Sequence, residues 1–172
     1  MSEKEPVTYF DGGFSSLGAD ATAWSDARTA LDEAEIFWLS TVRRDQRPHV
    51  TPLLGVWLDG SIYFCTGPDE RKAKNLRLNS HCILTTGTNT LGGLDLVVEG
   101  DAGEVAEESE RRSVADRFES KYGAHFAKPE GTWSGLGDAM RSGDALVYRV
   151  APSRVFGFRK GGPYSQTRWD FV

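Results

Sequence analysis

The sequence contains few of the residues that build cross-linked or metal-stabilised folds. Its 172 residues include only two cysteines, Cys65 and Cys82, and three histidines. The cysteines form no CxxC pair and the histidines have no HExxH spacing, so neither a disulfide framework nor a zinc site is indicated. The chain also lacks a GxSxG sequence, a Walker phosphate loop and a GxGxxG sequence after a strand. Several common classes of enzyme are excluded on this basis.

Long apolar runs and a strong excess of one charge are also missing. No stretch approaches the roughly 20 apolar residues that a membrane helix requires. The N-terminal residues show neither the basic patch nor the apolar stretch of a signal peptide, so we expect a cytoplasmic protein. Twenty basic and 25 acidic residues give a net charge of −5. This balance provides no electrostatic footprint for nucleic acid, and we expect binding to neither nucleic acid nor membrane.

The remaining composition is that of a globular domain, with 39% hydrophobic and 26% charged residues. A chain of this length buries enough surface to fold without disulfides or metals. The first nineteen residues show no periodicity and contain Gly12, Gly13 and Gly18. We therefore predict a flexible arm over residues 1–19 and a single domain over residues 20–172.

Local patterns predict a mainly β protein. Asp59-Gly60 is the strongest hairpin signal, and it lies between two runs rich in β-branched and aromatic residues. Helical spacing or capping residues predict helices over 21–34, 70–79 and 107–122. Similar β-rich runs predict strands over 36–42, 50–58, 61–66, 82–86, 94–105, 145–150 and 155–158. Six or seven strands with two or three helices are typical of a small β-barrel with flanking helices.

Arg71 and Lys72 form the first candidate site. They open a predicted helix directly after a strand, which is the unfavourable end of a helix for positive charge. A bound phosphate would explain their position, because helix N–H groups and both side chains would donate to it. The alternative is a solvated helix face, since Lys74 and Arg77 also occur there.

Residues 47–53 form the second candidate. Strand alternation places His49, Thr51 and Leu53 on one face, and Pro52 removes a ladder donor. An irregular strand of this kind exposes backbone groups to which a planar heterocycle can hydrogen-bond. The alternative is a kinked edge strand, in which His49 is a surface or structural histidine.

A third candidate is the aromatic and cationic C-terminal region. These side chains either stack on a ring system and contact a phosphate, or fill the core behind a closing strand. The residues concerned are Phe156, Phe158, Tyr164, Arg168, Trp169 and Phe171.

Taken together, these segments resemble the pyridoxamine 5′-phosphate oxidase-like family, the FMN-binding split β-barrels, from about residue 36 to residue 171. The motifs that carry the resemblance are residues 49–53 (HVTPL), 57–67 (WLDGSIYFCTG) and 71–76 (RKAKNL). The resemblance implies that Val50, Thr51, Pro52 and Leu53 line the flavin ring. It implies that Cys65, Thr66, Arg71 and Lys72 hold the ribityl phosphate. Phe158 and Arg168 stand at the spacing of a tryptophan and an arginine that complete the family's cofactor site, and Asp95 lies near a polar position of the family.

The resemblance also implies a homodimer in which both chains contact each cofactor. The expected function is hydride transfer between FMN, or the deazaflavin coenzyme F-420, and a small organic molecule, with no catalytic side chain required. Residues 164–167 lack the Arg-x-His element of the vitamin-processing oxidases, which argues against oxidation of pyridoxamine phosphate.

Two alternatives to an oxidoreductase stay open. One is a non-catalytic flavin- or haem-binding protein on the same barrel, for which the possible axial ligands are His49, His81 and His125. The other is a dimeric scaffold without a cofactor. Residues 123–143, which include Trp133, are predicted to be a mobile segment with one helical turn, either a lid over the substrate or an ordinary loop.

Overall fold

Nine strands and four α-helices make up residues 5–126 and 134–172, the part of the chain that a computed structural model describes. The strands are β1 (Val7–Phe10), β2 (Phe37–Val42), β3 (Pro48–Leu53), β4 (Val56–Leu58), β5 (Ser61–Thr66), β6 (His81–Thr86), β7 (Gly93–Glu104), β8 (Leu146–Lys160) and β9 (Ser165–Asp170). The helices are α1 (Trp24–Glu33), α2 (Arg71–Leu76), α3 (Glu108–Phe126) and α4 (Leu136–Ser142), and a 3₁₀ turn covers Gly12–Phe14. Within these residues, no helix is both long and apolar enough to span a bilayer.

The predicted hairpin is confirmed, whereas the predicted strand over 50–58 is two strands. β4 and β5 are antiparallel, and Asp59 and Gly60 between them both have positive φ, as a type I′ turn requires. The chain turns between β3 and β4 at Leu54 and Gly55. A Cβ at Gly55 would lie 2.8 Å from the Phe37 ring. The close approach at this turn therefore requires glycine.

The strand path explains the barrel-like shape. The first half of β8 pairs with β5 and the second half pairs with β9, while β7 runs along the other edge of β8. The path β4-β5-β8-β7-β6-β2-β3 has its two ends joined by the short turn at Leu54 and Gly55. The sheet thus curves round without closing, and the prediction of a mainly β split barrel with flanking helices is confirmed.

The predicted strands over 145–150 and 155–158 are one continuous strand. The register of β7 against β8 shifts between Glu99 and Gly100, where Pro152 lies opposite Gly100. A β-bulge accommodates a residue that cannot donate a ladder hydrogen bond. The proline therefore bends β8 and does not end it.

Two apolar clusters hold the fold together. The first fills the barrel and is closed by α1, whose Trp24 packs against the rings of Trp57, Trp169 and Phe171. The second lies between the outside of β4 and β5 and helices α3 and α4, with Phe118 and Met140 fully buried. The helices thus seal one end and one flank of the barrel.

The N-terminal residues differ from the predicted loose arm. Val7–Phe10 form β1, which pairs with β9 over Val7↔Asp170 to Phe10↔Thr167. The segment VTYF contains strand-forming residues but is only four residues long, so its strand state depends on pairing with the distant β9. In the predicted mobile segment, α3 extends to Phe126 and α4 covers Leu136–Ser142, while Trp133 lies outside the described residues.

Candidate functional site

A groove lies between the end of β3, the end of β5 and the start of α2. Its volume is about 270 Å³. Five of the residues predicted for the cofactor site line it: Pro52, Leu53, Cys65, Thr66 and Lys72. The other lining residues are Leu54, Gly67, Glu70, Leu136 and Ala145. Tertiary structure therefore brings the end of β3, the end of β5 and the start of α2 to one place.

Helix α2 is shorter than predicted and is firmly seated. It has six residues and follows Glu70, which is the N-cap residue instead of Asp69. Its Ala73 side chain is fully buried, and the Asn75 side-chain amide donates to the Thr41 hydroxyl of β2 at 2.9 Å. This packing presses the first turn against the barrel, so Lys72 is held beside the groove.

Lys72 is a buried cation with a carboxylate partner. Only 8% of Lys72 is exposed, and its ammonium donates to Glu70 Oε2. The other carboxylate oxygen of Glu70 accepts the Gly67 backbone N–H at 2.8 Å. Burial by itself would raise the pKa of Glu70, but the hydrogen bonds from Lys72 and Gly67 lower this pKa below its usual value. The groove thus contains two converging donors that hold an anionic group.

Arg71 adds to the positive character of this region, and His49 lies within that positive field. Arg71 is exposed and makes no ion pair with the described residues. His49 Nδ1 is buried without a hydrogen-bond partner among them. Burial lowers the pKa of His49, and the charges of Arg43, Arg71 and Lys72 lower it further. The imidazole therefore lies in a positive field and favours its neutral form.

Strand β3 has the alternation that the sequence predicted, with His49, Thr51 and Leu53 more buried than their neighbours. Val50 is 54% exposed on the opposite face. Among the described residues β3 pairs only with β2, so its second edge has no ladder partner. The backbone groups at that edge are available to a planar ligand.

Phe158 and Arg168 do not reach this groove within one chain. Neither residue is among those that line the groove. The Arg168 guanidinium lies 4.3 Å from the centre of the Tyr9 ring and 3.3 Å from Asp170 Oδ1. Phe158 is 36% exposed, and its ring stacks on the ring of Phe156.

Two further residues have structural roles. Trp169, considered above as a ring-stacking residue, is fully buried against Trp24 and is part of the core. Asp95 accepts the backbone N–H of Thr88 at 3.0 Å and pairs with Lys160 at 2.9 Å, so it braces the loop between β6 and β7. Neither residue lines the groove.

Glu70 and Tyr9 were not predicted from the sequence to be functional residues. Glu70 was treated only as the start of a helix, although an acidic residue directly before two cations is a signal of an internal ion pair. Tyr9 lies in the segment predicted to be unstructured. Its contact with Arg168 depends on the pairing of β1 with β9, which no local pattern reveals.

The outer face of the sheet is apolar and exposed. The side chains in register across seven strands are a mixture of aromatic, aliphatic and polar groups, and Trp38, on the strand next to the edge strand β3, is 50% exposed. One continuous row across this outer face consists of Tyr9, Arg168, Phe156, Val97, Thr85, Trp38 and Pro52. An exposed apolar surface of this extent is typical of an interaction site.

Comparison with known proteins agrees with this architecture. The model of the pyridoxamine 5′-phosphate oxidase family matches residues 24–158. No curated protein matches the sequence.

Solved structures resemble the chain in fold. The conserved hypothetical protein Rv2991 from Mycobacterium tuberculosis has a TM-score of 0.68 and 19% identity, covering 81% of this chain and 86% of that one. An FAD-binding protein from Mesorhizobium loti has a TM-score of 0.59 and 17% identity, covering 87% and 96%. HutZ, a heme storage protein from Vibrio cholerae, has a TM-score of 0.61 and 19% identity, covering 80% and 94%. At these identities the likeness concerns the fold.

Proposed function

Since the chain belongs to the pyridoxamine 5′-phosphate oxidase family, we propose that it is a homodimeric oxidoreductase that uses FMN or the deazaflavin coenzyme F-420. The observation that carries the proposal is the pair of donors, Lys72 Nζ and Gly67 N–H, that converge on a carboxylate in the groove. A phosphate ester presents oxygens of the same charge to the same donors. The FAD-binding neighbour has the same fold, which supports a flavin-like ligand.

The phosphate would be held by residues at the start of α2. Lys72 is fixed by the packing of the helix, while the exposed guanidinium of Arg71 is free to close over an anion. Arg71 makes no ion pair in the described part of the chain, so no internal contact has to be broken. A compact ammonium and a planar guanidinium together suit a phosphate better than either alone.

The ring of the cofactor would lie along β3. This strand supplies an unpaired edge and apolar side chains beside the groove, from Val50, Thr51, Pro52 and Leu53. When bound, FMN or the deazaflavin coenzyme supplies hydride transfer. The residues of this chain bind and orient the ring and exclude water, which agrees with the lack of a catalytic motif.

A second copy of the chain would complete the site. The groove of about 270 Å³ is below the roughly 300–1,000 Å³ of most ligand pockets. Phe158 and Arg168, which the family pattern assigns to the cofactor, lie on the exposed outer face. Dimerisation through this face would cover its apolar side chains and bring both residues to the partner's groove. The face is about 30 Å wide at the usual strand spacing, enough for a standard interface.

The substrate is a small organic molecule. Residues 164–167 contain neither a cation nor a histidine, which argues against pyridoxamine phosphate as the substrate. The cytoplasmic location stays a prediction from the sequence.

The test is equilibrium binding of FMN, riboflavin and the deazaflavin coenzyme, followed by fluorescence quenching. We expect saturable binding of FMN or the deazaflavin, weakened about 10- to 100-fold in Lys72→Ala because a charge-assisted hydrogen bond is lost. Lys74→Ala is the matched control, because Lys74 lies on the same helix with a half-exposed side chain. Unchanged binding to folded Lys72→Ala protein would reject the phosphate assignment.

Haem binding is a second candidate, favoured by one observation. His81 Nδ1 lies 2.6 Å from Asp101 Oδ1, and both residues line a separate groove of about 480 Å³. A carboxylate on one imidazole nitrogen orients the other for a metal, and the neighbour HutZ is a heme storage protein. A Soret band on haem titration that is lost in His81→Ala and kept in His125→Ala would support this candidate. No Soret band would reject it.

A further inference from the structure

The carboxylate of Glu70 occupies the donors that the proposed phosphate needs. One oxygen accepts the Gly67 N–H at 2.8 Å, and the other accepts the Lys72 ammonium. Within the described part of the chain, Lys72 makes no ion pair with any group other than Glu70. An incoming anion therefore has to share these two donors with Glu70 or take them from it.

The two members of this ion pair differ in their freedom to move. The side chain of Lys72 is 10% exposed, whereas that of Glu70 is 52% exposed. Lys72 lies on a helix whose inner side is packed on the barrel, and Glu70 precedes that helix. Glu70 is thus able to turn into solvent while Lys72 stays in place.

We propose that Glu70 limits the affinity of this groove for phosphate-bearing ligands, because its carboxylate occupies the Lys72 ammonium and the Gly67 N–H until a phosphate displaces it. The inference rests on the proposed cofactor site and adds to it a residue that controls affinity. Glu70 acts by occupying the two donors. The ligands whose affinity it changes are phosphate esters and free phosphate.

The physical reason is the cost of an unpaired buried charge. If Glu70 left without a replacement, the poorly solvated ammonium of Lys72 would lose the one anionic partner that it has among the described residues. A phosphate provides the replacement, but a neutral ligand does not. Displacement of Glu70 therefore lowers the affinity for a phosphate ester and has no effect on a ligand without a phosphate.

The charge of the released carboxylate acts in the same direction. Glu70 remains next to Arg71 and Lys72 in the sequence, so after displacement it still lies near the bound phosphate and repels it. Removing this charge with the nearly isosteric Glu70→Gln keeps the Gly67 hydrogen bond possible. The variant leaves the Lys72 ammonium without its carboxylate, so we expect a lower melting temperature than that of the parent in the absence of phosphate, and a folded protein is confirmed by circular dichroism before binding is measured.

The experiment compares Glu70→Gln with Asp69→Asn in the full chain. Asp69 is the matched control, because it is the adjacent carboxylate, 96% exposed, and its partner is Lys74 on the outer side of α2. We expect Glu70→Gln to tighten FMN binding about tenfold or more, the scale of a charge-assisted hydrogen bond. Riboflavin, which lacks the phosphate, should bind to both proteins equally, and Asp69→Asn should change FMN binding by less than about threefold.

A second readout does not require a flavin. Inorganic phosphate should raise the melting temperature of Glu70→Gln more than that of the parent, compared with chloride at equal ionic strength. An equal rise in both proteins, weaker FMN binding in Glu70→Gln, or a matching gain for riboflavin would overturn the proposal. If phosphate discriminates between the proteins but neither FMN nor the deazaflavin binds, the role of Glu70 stands and the proposed function fails.

Discussion

The same strands build both faces of the main sheet, but the inner face is buried and the outer face is exposed. Trp169 points into the barrel and is fully buried, while the adjacent Arg168 lies on the outer face against the Tyr9 ring. The inner face is sealed by strand curvature and by α1. The outer face carries Trp38 and Phe158 without a cover within one chain. One face therefore completes the fold, and the other is available for assembly.

The largest expected effect is on the outer face. Trp38→Glu replaces an aromatic side chain that is half exposed on this face with a charge, and an interface there would have to bury that charge unpaired. We expect the dissociation constant of the dimer to rise about 100-fold or more, since buried aromatic residues dominate interfaces. Sedimentation velocity across a concentration series measures this change.

A control variant separates assembly from general surface effects. Leu78→Glu alters a side chain that is 67% exposed and lies between α2 and β6, away from the outer face. It should leave the dimer intact. If the parent sediments as a monomer, or if both variants dissociate equally, the outer face is not the interface.

The next largest expected effect is a loss of stability caused by a substitution on the inner face. A Cβ at Gly157 would lie 2.6 Å from Cη2 of the buried Trp169 ring. We expect Gly157→Ala to lower the free energy of unfolding by about 2 kcal/mol, because neither the indole nor the strand has room to shift. Denaturant unfolding measures the loss.

Gly103→Ala is the matched control on β7, since its Cβ would meet nothing within 4 Å. This substitution should be neutral or slightly stabilising. A Gly157→Ala protein as stable as the Gly103→Ala protein would contradict the packing described for the inner face.

The third prediction tests whether Lys72 of one chain and Arg168 of its partner serve the same cofactor site. Arg168→Ala and Lys72→Ala should each weaken FMN binding about tenfold or more, through loss of a charged contact. If the partner chain supplies Arg168, a mixed dimer of the two variants has one intact site and one doubly altered site. Coexpression with two different tags should then restore tight binding at about a quarter of all sites.

The outcome of this mixing experiment is decisive for the comparison of the two faces. If Lys72 and Arg168 served the same site within one chain, every site in the mixture would carry a substitution. Tight binding would then not return in any fraction of the mixed protein. Titration of the doubly tagged fraction distinguishes the two cases.

The smallest expected effect concerns the charge of Lys121, a lysine on α3 that is partly buried. Lys121 on α3 donates to the backbone oxygens of Ala34 at 2.6 Å and Gly55 at 3.1 Å. Burial lowers the pKa of Lys121 to about 8. Between pH 8 and the usual lysine pKa of about 10.4 the unfolded chain binds the extra proton, so the contribution of Lys121 to stability rises with pH.

Comparison with Lys121→Met isolates this contribution, because the other titrating groups are common to both proteins. The stability of the parent relative to the variant should rise by about 1 kcal/mol from pH 7 to pH 10, after allowance for solvent screening. A difference between parent and Lys121→Met that does not change with pH would contradict the lowered pKa.

Much of the fold and part of the site follow from local patterns. The Asp59-Gly60 hairpin, the alternation of His49, Thr51 and Leu53, and the helices near Trp24 and Arg71 agree with the structure. Strand β1 and the continuity of β8 were not predicted. β1 exists through its pairing with β9, and β8 continues past Pro152 because a bulge opposite Gly100 accommodates the proline.

The sequence by itself determined which residues share a face, because successive side chains of a strand point to opposite sides. It also determined that Arg71 and Lys72 lie together at the start of a helix. Only the tertiary structure decided that Trp169 is core, that Lys72 is buried, and that Phe158 and Arg168 lie away from the groove. These outcomes depend on partners far along the chain, and local propensity contains no information about which face such partners will cover.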